Sequence, residues 1–511
     1  MNDDTPANDS VPTDIREGET LAAADIGSNT FHLIVARYDN GEPRVIDRLR
    51  ENIRLAAGVG ADGGLDAAYR DKALACLSRF GQRLRGMPDA RVRAVATNAV
   101  RQLKAPEAFL APAGIALGHP VEVVSGREEA RLIYLGVAHG IPDTPGRRLV
   151  IDVGGGSTEF IIGEHLDPLK KESLQVGCVA STLRYFGDGR ITHKRWRHAQ
   201  TGIAVELQQF AAAYRNVGWT EAIGSSGTLR AIDAVLRELG WSETGITRHG
   251  IERLREAVIA CGQVDAVAFP GLGAERAGIF AGGVVILETA MTVLGIERMR
   301  VAETSMREGL LYDMIGRAEH RDPRNASIDA LAQRHGVDRA HASRVETSAL
   351  ALFDQVAQAW QLGPGERDWL TWATRVHEIG LAIAHSQHHR HGAYIVGHSD
   401  LPGFAHHEQQ ILAALLRCQR RKPDAAMVRA LPERLRIPVA RTTAVLRLAI
   451  LLRRSREPTE SPDVVLHADA AQLQIALPET WLRRHPLTAA DLEQERGYLK
   501  SLDIKLHVAA N

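Results

Sequence analysis

Two stretches of this chain share one build: apolar strand, aspartate, glycine-bearing turn, apolar strand. The first, AAADIGSNTFHLIVARY, spans residues 22–38, and the second, LVIDVGGGSTEFIIG, spans 149–163. Laid together without gaps, Asp152 falls on Asp25, Gly154 on Gly27, Ser157 on Thr30 and Glu159 on His32. Between and after them, strands alternate with helices. ARVRAVATNAVRQL (90–103), VEVVSGREEARLIYLGVAHG (121–140) and TEAIGSSGTLRAIDAVLRELG (220–240) each read as a strand running through a turn into a helix. AGGVVILETAMTVLG (281–295) reads as a buried helix. Such alternation indicates an α/β domain. A hairpin repeated about 127 positions later makes it two duplicated lobes with a cleft between, expected at 21–132 and 133–318.

The pattern changes near residue 320. SIDALAQRHGVDRAHASRVETSALALFDQVAQAW (327–360), RDWLTWATRVHEIGLAIAHSQ (367–387) and HHEQQILAALLRC (406–418) have helical periodicity and few strand signals. They predict an all-helical module over 319–459. From 460 to 511, two alternating stretches followed by a helix and a strand predict a small α+β domain. At 511 residues the chain is too long for one core. Residues 1–20 are acidic and polar, without a basic start or an apolar run, which excludes a secretory signal and predicts a disordered tail. No stretch is read as a membrane span. The four cysteines are scattered, with no Cys-x-x-Cys pair, so neither a zinc ribbon nor a disulfide framework is indicated. A cytoplasmic protein is expected, with peripheral attachment to a membrane left open.

A turn of Gly, Ser, Asn and Thr brings backbone N–H groups and hydroxyls close to a bound group, because no bulky side chain blocks approach. Those donors suit phosphate oxygens. A carboxylate beside phosphate repels it unless a cation intervenes, and carboxylates with phosphate oxygens are what Mg²⁺ prefers. Two facing hairpins would hold a phosphate from both sides, with Asp25, Asp152 and Glu159 around a metal. One such turn would be an ordinary capped loop; two equivalent copies in one chain favour the phosphate site.

The motifs D-I-G-S-N-T and D-V-G-G-G-S-T-E resemble the phosphate-binding turns of the acetate and sugar kinase, Hsp70 and actin superfamily. More narrowly, they resemble the exopolyphosphatase and guanosine pentaphosphate phosphatase family. VATNAVR (95–101), SGREEARLIYLGV (125–137), LQVGCV (174–179), IGSSGT (223–228), PGLGAERAGIFAGG (270–283) and REGLLYDM (307–314) match that family in order. WATRVHEIGLAIAHSQHHRHGAYIVGHSDLPGF (372–404) is similar to the helical module of its long members. The resemblance runs from about residue 21 to the C-terminus.

What it implies is hydrolysis of a terminal phosphoanhydride by an in-line water, in two actin-like (ribonuclease H-like) lobes. The phosphate-binding residues would be Gly27, Ser28, Asn29, Thr30, Gly154, Gly155, Gly156, Ser157 and Thr158. A third loop would add Ser225, Ser226, Gly227 and Thr228. The implied general base is Glu129. Helical spacing says only that Glu128 and Glu129 face different sides, so the choice comes from the resemblance, and a solvated first-turn glutamate is the other reading. Glu159 would be a metal ligand or a water orienter. Arg101 would lie near the reactive phosphate, a guanidinium being able to grip it through paired hydrogen bonds; a helix-surface arginine is the other reading. No G-x-x-x-x-G-K-[ST] occurs, so a P-loop NTPase is not supported.

The helical module resembles a degenerate HD phosphohydrolase domain. Where an HD site has adjacent His and Asp, this chain has His377-Glu378, with His341 as a candidate first ligand, and HHRH (388–391) is rich in histidine. A scaffold role is expected. Formal net charge is zero, yet residues 417–456 carry twelve Lys or Arg against Asp424 and Glu433. A solvated face or a surface for an acidic partner is one reading. Polyphosphate is the other, because a polyanion needs a basic track by the counterion-release logic of nucleic acids. Arg417, Arg420, Arg421, Lys422, Arg453 and Arg454 are the candidates. Few aromatics interleave with them, so nucleic acid is not the expected ligand.

The expectation is thus a Mg²⁺-dependent exopolyphosphatase that removes orthophosphate processively from the chain end, as a homodimer implied by the resemblance. The alternative within the family is hydrolysis of guanosine-5'-triphosphate,3'-diphosphate (pppGpp) to ppGpp; one enzyme can do both. A non-catalytic polyphosphate- or alarmone-binding regulator is the alternative of another class. Retention of Asp25, Glu129, Asp152 and Glu159 disfavours it, since a binder has no need of a water-activating base.

Overall fold

Both repeated segments form tight antiparallel hairpins. In a computed structural model that describes residues 15–60, 62–142, 145–318, 322–456 and 462–510, the chain divides into two units, Met1–Asp322 and Pro323–Asn511. In the first unit β1 (Thr20–Ile26) pairs with β2 (Thr30–Asp39), with Asp25 opposite His32. β3 (Glu42–Asn52), β4 (Val92–Ala96) and β5 (Val121–Val123) complete a sheet of order β3-β2-β1-β4-β5, in which β1, β4 and β5 run parallel. The second hairpin is β6 (Arg147–Val153) with β7 (Thr158–Glu164), and Asp152 lies opposite Glu159. β8 (Asp167–Leu174), β9 (Glu221–Ser225), β10 (Ile246–Thr247) and β11 (Arg298–Val301) extend it to the order β10-β11-β9-β6-β7-β8. β6, β7, β8, β9 and β11 repeat the neighbours and directions of β1, β2, β3, β4 and β5. The ungapped alignment of the two motifs therefore matches residues at equivalent places in two sheets of the same topology.

Lobe boundaries differ from the expected ones. The 132/133 division falls inside the helix Gly126–Gly140. Leu132, Ile133 and Val137 of that helix share one core with Ala23, Ile34 and Val95 of the first sheet, Val150 and Ile161 of the second, and Leu310 and Met314 of the helix Met306–Ala318. An amphipathic helix with apolar residues on more than one side is buried by both neighbours, so it belongs to neither lobe alone. Of the expected tail, residues 1–14 lie outside the described residues. Residues 15–20 are not free: Ile15 packs against that same core, Gly18 N–H donates to the Tyr38 carbonyl at 2.8 Å, and Thr20 opens β1.

The helix Ala274–Leu294 corrects the reading that no stretch could span a membrane. It is long and apolar enough to do so by length and composition. Most of it is nevertheless buried, and Phe280, Val284, Leu287 and Met291 sit in the second lobe's core. A helix apolar all round is what the centre of a large core requires.

The second unit is helical from Pro323 to Leu452 and ends in a three-stranded sheet. β12 (Val465–Asp469) and β13 (Gln472–Leu477) form a hairpin, and β14 (Lys505–Ala510) joins β13 in parallel. Leu466, Leu473, Ile475 and Leu506 bury their side chains in the same core as Val345, Trp372 and Val445 of the helices. The sheet expected as a separate small domain is thus one wall of the helical unit, because three short strands cannot bury enough apolar surface alone.

Candidate active site

The two hairpin turns meet across a cavity of 130 Å³ in the first unit. Gly27, Ser28, Asn29 and Thr30 line one side, Gly154, Gly155, Gly156 and Ser157 the other, and Ser226, Gly227 and Thr228 a third. The approach of the turns is close. A methyl group added at Gly156 would come within 3.0 Å of Ser28 Oγ and 2.8 Å of Asn98 Oδ1. Only glycine leaves room for the second turn to face the first. The Gly154–Ser157 turn is tied down at its base, where Cys178 N–H donates to Gly154 O (2.9 Å) and Val179 N–H to Gly155 O (3.0 Å). In the third loop Ser226 has φ of 90°, a conformation that L-residues adopt at a cost and that is held where the surroundings over-determine it.

Some expected phosphate ligands are engaged elsewhere. Thr158 does not line the cavity and donates its hydroxyl to Val176 O at 2.5 Å. Ser225 is fully buried below the third loop and donates to Thr304 O at 3.2 Å. Thr30 lines the cavity, and its hydroxyl donates to Asn52 Oδ1 at 3.0 Å.

Four carboxylates concentrate here. Ser125 caps the helix Gly126–Gly140 by accepting from Glu128 N–H at 3.1 Å, which puts Glu128 and Glu129 in its first turn. They then part. Glu128 binds Arg131 through both oxygens at 2.8 Å, in a buried network where Arg131, Arg93 and Arg317 surround Asp313. Glu129 turns to the cavity with Asp25 and Asp152. Glu159 is 1% exposed and lies beneath, where it accepts from Ser173 Oγ at 2.8 Å.

Burial raises all four carboxyl pKa values. Asp25 is pushed up to about 7 by desolvation, against the pull of Arg307, with Glu129 and Asp152 adding to the rise. Glu129 is raised by burial, opposed by Arg101 and reinforced by Asp152. Asp152 is raised by burial, opposed by hydrogen bonds from Ser305 and Ser225. Glu159 lies well above its usual value through burial and the charges of Glu129 and Asp152.

Asp25, Asp152 and Glu159 do not converge as a three-ligand cage. Among the described residues, the one trio of potential ligands whose donor atoms all lie within 4.8 Å of one another is His341, His377 and Glu378, in the other unit. Asp25 and Asp152 nevertheless fit a hard divalent cation. Asp152 is buried and Asp25 half-buried in a cavity rimmed by glycine- and hydroxyl-bearing turns, and Mg²⁺ is commonly held by one or two carboxylates with water and substrate phosphate completing its shell.

Arg101 is not on the cavity wall. Its Nη1 donates to Glu129 Oε2 at 2.9 Å and to Val124 O at 2.8 Å. The guanidinium groups that do line the cavity are Arg230, Arg276 and Arg307. Burial lowers the pKa of Arg230, and the Arg307 charge lowers it further; burial and Arg50 do the same to Arg276. Arg307 Nη1 donates to His32 Nδ1 at 2.9 Å, and His32 is held neutral by burial and then by Arg307. Three crowded cations, none of which forms an ion pair shorter than 3.9 Å among the described residues, make an anion site. All three belong to motifs legible in the sequence, SSGTLR, AERAGI and REGLL. Nothing local marks an arginine that faces a cleft, so only the fold separates them from the surface arginines.

Of the basic stretch in the second unit, Arg417 pairs with Asp424 at 2.9 Å, Arg453 Nε donates to Ser348 Oγ at 2.8 Å, and Arg454 pairs with Asp491. Lys422 is exposed. Arg420, Arg421 and Arg454 line a separate cavity with Arg447 and Arg456.

The description of the Ppx/GppA phosphatase family matches residues 34–318, and that of the family's domain III matches 324–496. A guanosine-5'-triphosphate,3'-diphosphate pyrophosphatase of Aeromonas hydrophila is 36% identical over 478 residues, 93% of this chain and 95% of its own. The crystal structure of an exopolyphosphatase from Cytophaga hutchinsonii is similar with a TM-score of 0.54 at 25% identity, covering 58% of this chain and 98% of that one. With the cavity between two glycine turns, its buried carboxylates and its three arginines, these likenesses place the chain in the Ppx/GppA phosphatase family, whose members hydrolyse phosphoanhydride bonds.

Proposed function

We propose that the chain is an exopolyphosphatase, hydrolysing the terminal phosphoanhydride of inorganic polyphosphate to release orthophosphate. The observation that carries this reading is Glu129 on the wall of a cavity that also presents two facing glycine turns and three arginines. The N–H groups of the Gly27–Thr30 turn and of Gly155–Ser157 bind the terminal phosphoryl oxygens, the Gly154 N–H being spent on the Ser157 carbonyl, and Arg230, Arg276 and Arg307 take up the charge that develops on them. Glu129 orients and deprotonates the attacking water, with Arg101 holding one carboxylate oxygen so that the other faces the cavity. Glu159, beneath the wall, accepts from Ser173 Oγ, and the charge of Asp152 raises the basicity of Glu129. A Mg²⁺ ion held by Asp25 and Asp152 would neutralise phosphate oxygens and remove the mutual repulsion of the buried carboxylates. The basic stretch from Arg417 to Arg454, in the second unit, is a further polyanion-binding surface suited to long chains. The family resemblance supports a homodimer, and four unpaired cysteines suit the cytoplasm.

A second reading has its own support. The relative that matches nearly this whole chain is named for pppGpp, which presents the same terminal phosphoanhydride on a nucleoside. Phosphate release from long polyphosphate and from pppGpp, compared as kcat/KM, decides between them. Release from neither, with metal present, removes both.

A further inference from the structure

The second unit contains a cavity of 540 Å³, within the size range of small-molecule sites. Its wall carries His341, His377 and Glu378, three donors whose ligating atoms all lie within 4.8 Å of one another. His341 is 3% exposed and His377 2%. Each has a ring nitrogen without any hydrogen-bond partner, Nδ1 in His341 and Nε2 in His377. Buried polar atoms are nearly always satisfied, so an orphaned nitrogen on each of two neighbouring imidazoles calls for a ligand.

The geometry around His377 is that of a metal ligand held ready. Its Nδ1 faces the Thr374 carbonyl at 2.7 Å, and a carbonyl can only accept. The proton is therefore on Nδ1, and the Nε2 lone pair points away from it. A backbone carbonyl on the far nitrogen is the usual way a metal-binding imidazole is fixed in tautomer and orientation. Gln419 Nε2 donates to the His377 carbonyl at 2.7 Å, bracing the same residue from the other side. Arg456 donates to Oε1 of Glu378, which leaves Oε2 for a cation. His341 is set by the start of the helix Arg339–Trp360, where Asp338 accepts its N–H at 3.0 Å.

The rest of the wall carries five arginines, two carboxylates, two further histidines and apolar residues. Arg447 binds Glu495, Arg454 binds Asp491 and Arg456 binds Glu378. Arg420 and Arg421 have no carboxylate partner among the described residues. Arg421 and Arg456 both have left-handed backbone, with φ of 59° and 62°, a conformation that non-glycine residues seldom adopt.

We propose that His341, His377 and Glu378 bind a divalent transition-metal ion whose open coordination position takes a phosphate group, gripped from the other side by Arg420 and Arg421. Two imidazoles and one carboxylate select a borderline ion such as Zn²⁺ over Mg²⁺, and three protein ligands leave a position for an exogenous oxygen. The phosphate is that of free orthophosphate or of the end of a phosphorylated molecule, since both present the same oxygens. The site is independent of the hydrolytic cavity in the first unit, so it stands whichever phosphoanhydride that cavity cleaves.

Co²⁺ is the probe, because its visible absorption is intense at a four- or five-coordinate site with nitrogen ligands and weak at an all-oxygen octahedral one. The full chain, stripped with chelator, is titrated with Co²⁺. A saturable band of one equivalent is expected, retained in Asp25→Asn/Asp152→Asn and lost in His341→Ala/His377→Ala and in Glu378→Gln. Circular dichroism reports folding; should the double alanine variant unfold, Glu378→Gln, which leaves the buried imidazoles in place, carries the test. Adding inorganic phosphate should shift the band in the wild type and not in Arg420→Ala/Arg421→Ala. Pyrophosphate in a parallel titration separates the two sources: a tighter response assigns the end of a phosphorylated chain, and a weaker one free phosphate. No intense band in the wild type, or a band that survives in Glu378→Gln, overturns the metal site. A band indifferent to both anions overturns the phosphate assignment.

Discussion

Arg101 Nη1 donates to Glu129 Oε2 at 2.9 Å, joining the end of the TNAVR motif to the first turn of the helix Gly126–Gly140. The same nitrogen is anchored on Val124 O. A residue expected to touch phosphate instead holds the carboxylate expected to act on water.

Glu129→Gln keeps the shape of the side chain and removes its capacity to accept a proton. Turnover should fall by about 10²–10⁴ while substrate binding persists. Single-turnover phosphate release with a parallel binding measurement checks it, and near-normal turnover takes Glu129 out of the mechanism.

Arg101→Met tests the positioning role through pH. Glu129 must be ionised to act as base; burial raises its pKa and Arg101 opposes the rise. Removing the guanidinium therefore lifts the pKa further and moves the acidic limb of kcat/KM to higher pH. Activity should recover in part as pH increases. A lower rate with an unshifted limb would mean that Arg101 acts on substrate.

Asp25 bears on stability with the opposite sign to a salt-bridged carboxylate. Its pKa rises from 3.8 to about 7 on folding, so the folded state binds the proton more tightly and stability is lost as pH rises across that interval. Asp25→Asn should be more stable than the wild type at neutral pH without metal, by on the order of a few kcal/mol. It should also lose most activity. Melting temperatures of both proteins at pH 5 and pH 7.5, with and without Mg²⁺, give the comparison; equal slopes with pH would contradict the buried, unneutralised carboxyl.

Two glycines should respond differently to alanine. At Gly227 the new methyl group would lie 1.9 Å from Arg276 Nη2, the mobile end of a side chain that can swing away. Gly227→Ala should therefore keep its stability and raise KM as Arg276 leaves the cavity. At Gly177 the methyl group meets Gly155 O at 2.3 Å, backbone of the phosphate turn itself. Gly177→Ala should cost about 1–3 kcal/mol and lower kcat as well. Denaturant melts and steady-state kinetics on both variants separate the cases.

The basic stretch should matter for long chains only. Arg421→Glu/Lys422→Glu should raise KM for long polyphosphate and flatten its dependence on salt, because fewer counterions are displaced. Short substrates should keep their KM. Equal effects on both lengths would assign the stretch to folding or to another partner.

The duplicated hairpin made both lobes legible in advance, since a strand–turn–strand pattern repeats in sequence whenever it repeats in space. The glycine turns and the buried helix at 281–295 followed from the local pattern, whereas Glu129 was singled out from Glu128 by the resemblance and not by spacing. The basic stretch was legible only as composition: counting its twelve cations could not show that Arg417, Arg447, Arg454 and Arg456 each face a carboxylate. Side-chain direction decides that, and it depends on packing between segments far apart in the chain.

The sequence by itself determined which backbone turns can approach a phosphate, because glycine and small hydroxyl residues act through local geometry. Tertiary structure decided everything that depends on a partner distant along the chain. It set Glu128 on Arg131 and its neighbour Glu129 on the cavity, placed Glu159 beneath the wall, and brought Arg230, Arg276 and Arg307 to one anion site from three separate motifs. It also put His341 beside His377, 36 residues on, each with an unpaired nitrogen. Charge and hydrogen bonding act through space over a few ångströms, and only folding brings groups far apart in the chain that close.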